Sequence, residues 1–427
     1  MKSKDVEKKA ATKPADKEEP TSKGKRGFWS QAGQTLLIPA LAVFTGLVFG
    51  AIIIIITDAH VLAAYKNFFS APGAALLSTI EAVFGAYGAL FTGAFGSPVT
   101  LVKAIQAYAA TGDNALLLKA IYPFTESLVT ATPYIFAGLA VALGFRCGLF
   151  NIGAEGQFFI GALCSAYVGY AFKMPWYFHL PLAILAGALG GAIWGAIPGY
   201  LKAVTGAHEV VNTIMMNWIA FRLSDWLLTG PMMASGYRPV TPVIQDTAFL
   251  PRIFSDPLRF NAGFFLALAV AALVYWFLFK TTLGFEIRAV GTNPDAARYA
   301  GMSVTRTFVL VMTLSGALAG LAGASQVLGV DHWVGQGFSA GYGFDSIALA
   351  LLGKSHPIGV VLAALLFGFL RGGATRMQSM AGIPIDIISV IQGFVIIFVA
   401  APAIIRAIYR LRVARVEETV LTLGWGK

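Results

Sequence analysis

Long apolar runs alternate with short polar connections along most of the chain. Runs of about 20 residues are long enough for an α-helix to cross the hydrocarbon core of a membrane. We therefore predict an all-α, polytopic membrane protein with about ten transmembrane helices. The predicted spans are residues 35–56, 126–145, 157–172, 180–202, 210–228, 263–279, 307–328, 343–352, 356–370 and 385–405.

Two apolar stretches do not read as simple spans. Residues 343–352 are too short to cross alone, so protein must shield their backbone ends from lipid. Residues 74–95 are apolar enough to span, yet an eleventh span would break the even count that returns the C-terminus to the cytoplasm. We predict that residues 74–95 form a re-entrant or interfacial helix on the outer face.

Composition and charge point to the same class of protein. Hydrophobic residues make up 57% of the 427 residues and charged residues 12%, whereas a soluble domain has about 25% charged residues. The net charge of +10 lies largely in tails and short loops, where Lys and Arg indicate topology rather than nucleic-acid binding. An even number of spans places both termini in the cytoplasm. Cys147 and Cys164 show no metal-ligand spacing, so we predict neither a disulfide nor a metal site.

Short sequences recur weakly between the two halves of the chain. Ala-Gly-Leu-Ala occurs at 137–140 and at 319–322, and glycines concentrate at 187–199 and at 368–373. The two halves begin on opposite sides of the predicted membrane, so the pattern indicates a possible inverted repeat, which is common in transporters.

The polar stretch 281–304 lies between two apolar runs and contains its own helix signals. Asn293 is a good N-cap, Pro294 suits the first helical position, and Asp295 complements the positive end of the helix. Gly301 can adopt the left-handed conformation that ends a helix. The pattern predicts a capped helix of about two turns, either held ready for a partner or simply an ordinary loop helix.

Two further stretches place polar groups at membrane depth. In CGLFNIGAEGQFFIG (147–161), Asn151, Glu155 and Gln157 interrupt two apolar runs, so they are candidates to line a pathway. The alternative is a tight turn whose polar groups satisfy their own backbone. In HEVVNTIMMN (208–217), Asn212 stands where the HExxH zinc motif needs its second histidine, which argues against a metalloprotease. The simpler interpretation of this stretch is a helix start.

The chain shows no complete phosphate-binding loop. Gly353-Lys354 would need a glycine five residues before Gly353, where the sequence has Ala348. We therefore expect no ATP hydrolysis by this chain.

Arg222 and Asp225 lie three residues apart within a predicted span. We interpret them as a structural ion pair.

Three motifs together resemble the permease subunits of ATP-binding-cassette importers. GTNPDAARYAG (291–301) resembles their coupling helix, GLFNIGAEGQ (148–157) a hallmark of the nucleoside and simple-sugar branch, and HEVVNTIMMN a similar run in that family. The resemblance implies a fold like that of the vitamin B12 permease. It assigns coupling to Arg288, Gly291, Asn293, Ala296, Ala297 and Gly301, and the translocation pathway or gate to Asn151, Glu155, Gln157, His208, Glu209, Asn212 and Asn217.

The same resemblance implies partners and a location. The expected partners are an ATPase subunit that binds ATP and Mg²⁺, a second homologous permease, an extracytoplasmic solute-binding lipoprotein and membrane lipid, with no cofactor in this chain. The expected location is the bacterial cytoplasmic (inner) membrane. The predicted segments are a disordered basic tail (1–26), a first span (27–58), an outer-face segment (59–124), a permease core (125–406) that contains the coupling loop (281–304), and a cytoplasmic tail (407–427).

The solute is predicted to be neutral and polar, because the gate stretches offer amides and acids without a cluster of basic residues. Nucleosides rank ahead of simple sugars such as ribose or galactose, and branched-chain amino acids rank lower. Phe150, Phe158 or Trp218 are candidates to stack on a nucleobase. An ion-coupled secondary transporter remains the alternative from another class, whereas the residues for a membrane enzyme are not found.

Overall fold

The computed structural model describes residues 28–112, 114–339, 341–384 and 386–410, which form α-helices and no β-strand. A 3₁₀ turn at Asp246–Ala248 and a π-helical turn at Val327–Asp331 accompany them. The α-helices are α1 (Phe28–Thr57), α2 (Ala59–Lys66), α3 (Pro72–Phe95), α4 (Pro98–Thr111), α5 (Ala115–Arg146), α6 (Ala154–Ala171), α7 (Trp176–Thr205), α8 (Glu209–Thr229), α9 (Gly263–Lys280), α10 (Thr282–Thr292), α11 (Pro294–Tyr299), α12 (Val304–Gln326), α13 (Tyr342–Leu352), α14 (Pro357–Ala381), α15 (Asp386–Ala400) and α16 (Pro402–Ile408).

The prediction of an all-helical membrane protein is confirmed. In the described part of the chain, seven helical segments are long and apolar enough to cross a membrane, and α15 with α16 forms an eighth if this pair, bent by 89°, is one span. The seven include α3 continued by α4, from Pro72 to Thr111. Helices α6 and α8 reach 18 and 21 residues, but polar side chains lower their hydropathy.

Several predicted helix ends were wrong, for reasons that lie in packing. Helix α5 begins at Ala115 instead of 126 and contains Pro123 and Pro133. Helix α14 continues through its glycine pair to Ala381, because Gly373 packs against the backbone of Leu90 on α3 and so serves close contact rather than a turn. The predicted tails fall largely outside the described residues, at 1–27 and 411–427.

Helix α5 occupies the centre of the bundle. Its apolar window is 83% buried within the chain, compared with 28% for α1, α7 and α9. The continuous stretch from Ala131 to Gly144 is buried on every side. A helix that is apolar all round belongs in a core, whereas the poorly buried helices leave wide apolar faces for lipid or for other subunits.

Helices α7 and α12 touch along a row of glycines. A Cβ atom at Gly316 would collide with the carbonyl oxygen of Gly191, and one at Gly320 would collide with the carbonyl oxygen of Gly187. Gly161 on α6 packs on Gly320 in the same way. Small residues let helix backbones approach closely inside membranes. These glycines therefore bring three helices into backbone contact.

The packing partners of the two halves correspond. Helix α5 packs on α13 and α14, and α12, which carries the second Ala-Gly-Leu-Ala, packs on α6 and α7. If α5, α13 and α14 are replaced by α12, α6 and α7, the first set of contacts becomes the second. Helix α5 ends and α12 begins near the 281–304 loop, so they run in opposite directions. This arrangement is what an inverted repeat predicts.

Helix α13 is shorter than a membrane span. Its eleven residues span about 16 Å, roughly half of a membrane core. Its C-terminal turn lies beside the end of α5, where Arg146 Nε donates to the carbonyl of Ser355 over 2.7 Å. Its N-terminus meets the N-terminal turn of α6. Two helix N-termini therefore face each other inside the bundle, shielded by protein as expected.

Candidate functional site

The 147–153 link between α5 and α6 is held by Asn151, which is fully buried. Its side-chain amide donates to Gln157 Oε1 over 2.9 Å and to Ser315 Oγ over 2.8 Å, and its oxygen accepts from the backbone of Gly153 over 2.9 Å. Ser315 in turn donates to the carbonyl of Ala140 over 2.6 Å. The predicted pair Asn151 and Gln157 thus ties α5, α6 and α12 together at one polar point.

Asn217 completes this polar centre from α8. Its oxygen accepts from the backbone N–H of Gly156 over 2.8 Å, and its NH₂ donates to the carbonyl of Ile152 over 2.9 Å. It therefore satisfies an otherwise unpaired N–H in the first turn of α6. The structure brings three predicted pathway residues, Asn151, Gln157 and Asn217, around one helix start.

Glu155 lies in the first turn of α6 and points at the N-terminus of α13. Its carboxylate accepts from the backbone N–H groups of Gly343 over 2.6 Å and Phe344 over 3.3 Å, and the hydroxyl of Ser339 also donates to it. The residue is 3% exposed. A buried charge is tolerated when donors and a positive helix end compensate it. Glu155 therefore closes the gap between the two facing helix ends.

A cavity of about 410 Å³ opens beside Glu155. It lies between α6, α8 and the segment that leads into α13. Among the described residues, none that lines it is basic. The lining residues are Glu155, Phe159, Phe221, Ser224, Asp225, Gly337, Ser339, Gly341 and Phe344.

The aromatic residues of this cavity differ from those expected. Phe158 is fully buried and packs on Phe338 and Tyr342, so it presents no face to a solute. Its neighbour Phe159 lines the cavity instead, one helical turn after Glu155, together with Phe221. The i, i+4 spacing from Glu155 to Phe159 was the available sequence signal.

Three other polar residues near the centre were missed from the sequence. The hydroxyl of Tyr134 on α5 donates to Asp345 Oδ2 over 2.7 Å, and Arg371 on α14 lies 3.4 Å from the same oxygen. The Arg371 guanidinium also lies over the ring of Tyr342, at 4.9 Å. No local motif joins these positions, because Tyr134 is 211 residues from Asp345 and Asp345 is 26 residues from Arg371.

The start of α8 is organised separately from this centre. Glu209 pairs with Lys202 at the end of α7 over 2.8 Å, and His208 precedes the helix at its N-cap position. The Asn212 side-chain nitrogen is buried without a hydrogen-bond partner among the described residues. The ion pair with Lys202 compensates the charge of Glu209.

The predicted capped helix is present as α11. The Asn293 side chain accepts from the backbone N–H groups of Asp295 and Ala296, each over 3.0 Å, and Gly301 ends the helix with φ +84°. Ala296 is exposed and Tyr299 is 97% exposed, whereas Ala297 is buried against the bundle. The outward surface of the helix therefore includes Ala296 and Tyr299, and the buried Ala297 attaches the helix to the bundle.

Two of the predicted coupling residues anchor α10 to the bundle. Gly291 lies so close to the end of α5 that a Cβ atom there would collide with the carbonyl of Arg146. The Arg288 guanidinium lies 5.2 Å from the ring centre of Phe279, with that of Arg146 at 5.6 Å. His356 packs on the same ring, and burial together with the Arg146 cation lowers its pKa.

A helical bundle with polar groups gathered at broken helices, and with an exposed capped helix beyond its apolar spans, defines a membrane transport subunit. Residues 124–400 match the family described as the permease component of the branched-chain amino acid transport system. The chain belongs to this family. It is a permease subunit of an ATP-binding-cassette importer, and not an enzyme.

Three relatives show the range of this group. The guanosine ABC transporter permease protein NupP of Bacillus subtilis is 38% identical over 376 residues, which cover 87% of this chain and 94% of the relative. The nucleoside permease NupB of Lactococcus lactis is 38% identical over 66% of this chain and 79% of its own length. The glucose permease TsgB13 of Haloferax volcanii is 36% identical over 75% of this chain and 90% of its own length. No solved structure matches the chain.

Proposed function

We propose that this permease imports nucleosides. The observation that carries the proposal is the similarity to the guanosine permease of Bacillus subtilis along 87% of the chain. The cavity beside Glu155 supports it, since aromatic rings and acceptor groups line it and no basic residue among the described ones does. Such a site suits a neutral solute with a flat ring and polar edges.

The complete importer contains further subunits. A second, homologous permease, two copies of an ATPase that binds ATP and Mg²⁺, and an extracytoplasmic solute-binding lipoprotein complete it in the bacterial inner membrane. ATP-driven closure of the ATPases moves the exposed surface of α11 and reorients the spans. Solute passes Asn151, Glu155, Gln157 and Asn217, and then His208, Glu209 and Asn212, on its way inward. Surface-exposed Ala296 and Tyr299 on α11 support this docking role.

The proposed topology has ten spans, cytoplasmic termini, α3 on the outer face and the architecture of a vitamin B12-type permease. Three chain segments that must be cytoplasmic in this arrangement lie together: the end of α5 at Arg146, the turn at Ser355 and Gly291 of the coupling loop. The correspondence between the two halves supports the inverted repeat of such a fold.

Uptake of labelled guanosine and uridine by cells that express the whole system tests the function, with ribose, galactose and glucose as competitors. We expect nucleoside uptake that the sugars do not reduce. A matched strain without the ATPase provides the background. Sugar uptake alone, unaffected by excess nucleoside, would contradict the proposal.

A simple-sugar importer is the second candidate. It is favoured by the 36% identity to the glucose permease of Haloferax volcanii. A sugar offers hydroxyls but no aromatic ring, so only its C–H groups could contact the phenylalanine walls of the cavity. The competition experiment separates the two candidates.

A further inference from the structure

The cavity of about 410 Å³ beside Glu155 has polar groups that the packing of the bundle does not use. The hydroxyl of Ser224 is buried, with 2% of the residue exposed, and it has no hydrogen-bond partner among the described residues. A buried hydroxyl without a partner costs free energy. It is expected to persist where it serves a ligand.

Asp225 is the second unused group. Its carboxylate is 3.7 Å from Arg222, whose side chain is 78% exposed, so the pair predicted from the sequence is loose. The Asp225 side chain remains 42% exposed and lines the cavity. Glu155, in contrast, is fully engaged by Ser339 and the N-terminus of α13. Asp225 is therefore the carboxylate of this cavity that can receive hydrogen bonds from a solute.

The arrangement on α8 places these groups beside an aromatic ring. Phe221, Ser224 and Asp225 are spaced i, i+3 and i+4, so they share one helix face. Phe159 from α6 packs edge-on against Phe221, with ring centres 5.3 Å apart, and Phe344 lines another wall. Phenylalanine offers a ring face without hydrogen-bonding groups. The cavity thus combines apolar ring faces with a polar edge on a single helix.

We propose that this cavity binds the nucleobase of the solute and that Asp225 reads its hydrogen-bonding edge. The proposal rests on the proposed function in nucleoside import. The ring stacks on phenylalanine, Ser224 pairs with a polar atom of the solute, and the Asp225 carboxylate accepts N–H groups.

A carboxylate accepts hydrogen bonds and cannot donate one. Guanine presents two adjacent donors, N1–H and the 2-amino group, which match the two oxygens of a carboxylate. Hypoxanthine and uracil each present one ring N–H. Adenine and cytosine place a ring nitrogen lone pair beside their amino group, which repels a carboxylate. The expected order of affinity is guanosine, then inosine and uridine, then adenosine and cytidine.

The test is equilibrium binding of labelled guanosine to the purified complex of permeases and ATPases without the solute-binding lipoprotein, so that this lipoprotein cannot set the selectivity. Unlabelled nucleosides compete for the site. We expect Asp225→Asn to reduce the preference for guanosine over adenosine by about tenfold, since an amide can face either edge. Phe221→Leu should weaken all nucleosides with little change in their order.

Ser224→Ala removes a hydroxyl that lacks a partner, so it should not destabilise the fold. A loss of nucleoside affinity in this variant then reports a contact with solute. Glu81→Gln serves as the matched control, because Glu81 is an exposed carboxylate on α3, which packs on α14.

The outcomes are distinguishable. Nucleoside binding and transport with an unchanged order of competition in Asp225→Asn, together with unchanged affinity in Phe221→Leu and Ser224→Ala, would overturn this assignment and leave the function intact. Transport of sugars and of no nucleoside by the wild-type importer would overturn the proposed function, and the assignment with it.

Discussion

At the scale of single residues, Asn217 shows how one amide organises a helix start. Its side-chain oxygen accepts a hydrogen bond from the N–H of Gly156, and its NH₂ group donates one to the carbonyl of Ile152. The bond to Gly156 is buried and the bond to Ile152 is partly buried, so the loss of Asn217 removes the partner of both backbone groups. Each such group costs about 1–3 kcal/mol.

We therefore expect Asn217→Ala to lower the melting temperature of the purified complex by several degrees, and Asn217→Asp to fail to restore it. The aspartate keeps the acceptor for Gly156 but sets an oxygen against the carbonyl of Ile152. Asn67→Ala, at an exposed position after α2, is the control. An unchanged melting curve for Asn217→Ala would contradict the capping role.

His356 supplies a pH-dependent residue near the coupling loop. Burial and the Arg146 cation lower its pKa, so the folded chain binds the proton less readily than the unfolded chain. The stabilisation is complete above the ordinary histidine pKa of about 6.5 and is lost as the pH falls through the lower folded value. We expect the melting temperature to fall on acidification below about pH 6.5, and to fall less in the His356→Phe variant. Equal slopes in both proteins would exclude His356 as the cause.

The polar residues illustrate what a sequence can predict at this scale. Asn151, Glu155, Gln157 and Asn217 interrupt apolar runs and were identified from that pattern. Tyr134, Asp345 and Arg371 were not, because they lie on three different helices and their contact arises only when α5, α13 and α14 pack. Phe159 and Phe158 are adjacent, and helix rotation alone decides which one faces the cavity.

At the scale of elements, α11 has an exposed face and a buried residue that attaches it to the bundle. Ala296 is exposed and Ala297 is buried, so the same substitution at the two positions tests different properties. Ala296→Trp should leave the melting temperature unchanged and abolish coupling of transport to ATP hydrolysis. Ala297→Trp should also destabilise the fold, by about 1–3 kcal/mol from overpacking.

ATPase activity of the complex, with and without solute-loaded lipoprotein, measures the coupling. Ala110→Trp on exposed α4 is the matched control. Normal solute-stimulated hydrolysis in Ala296→Trp would show that this face of α11 does not dock.

The glycine contacts between α7 and α12 give a second prediction for elements. Gly320→Ala introduces a Cβ atom that collides with the carbonyl of Gly187, so we expect a clear loss of thermal stability. Gly88→Ala, in α3 with no atom within 4 Å of the added Cβ, should be neutral or slightly stabilising. Equal effects of the two substitutions would mean that helix propensity, and not contact, sets the stability.

Helix bounds were predicted well where apolar runs end in charges. They were predicted poorly at glycines, which can either end a helix or let a neighbouring helix approach. The predicted span 356–370 stops just before Gly372-Gly373, yet these glycines admit neighbouring helices and α14 continues to Ala381. The difference depends on what packs against a glycine, which is long-range information. The capping of α11, in contrast, is local, and it was predicted in full.

At the scale of the whole molecule, the proposed topology predicts the side of the membrane on which each segment lies. In a background that lacks Cys147 and Cys164, we expect Ser70→Cys, Gln106→Cys and Asp256→Cys to react with an impermeant thiol reagent in intact cells, and Asp295→Cys to react only after permeabilisation. Asp295 lies on exposed α11. Protection of Gln106→Cys would mean that α3 crosses the membrane, and labelling of Asp295→Cys in intact cells would overturn the ten-span topology.

The close contact of α7 and α12 has a mechanical consequence. Helix α12 starts three residues after Gly301, which ends α11. Its Gly316 and Gly320 lie so close to the backbone of α7 that sliding of one helix along the other would bring atoms into collision. A push on α11 should thus rotate the two helices as one stiff lever. Helix α7 has 30 residues, about 45 Å of helix, and His179 near its far end is hydrogen-bonded to Thr247 of the 230–262 loop over 2.7 Å. In the proposed importer, a stroke applied by the ATPase at α11 would therefore reach the far end of α7, where a solute would be handed over.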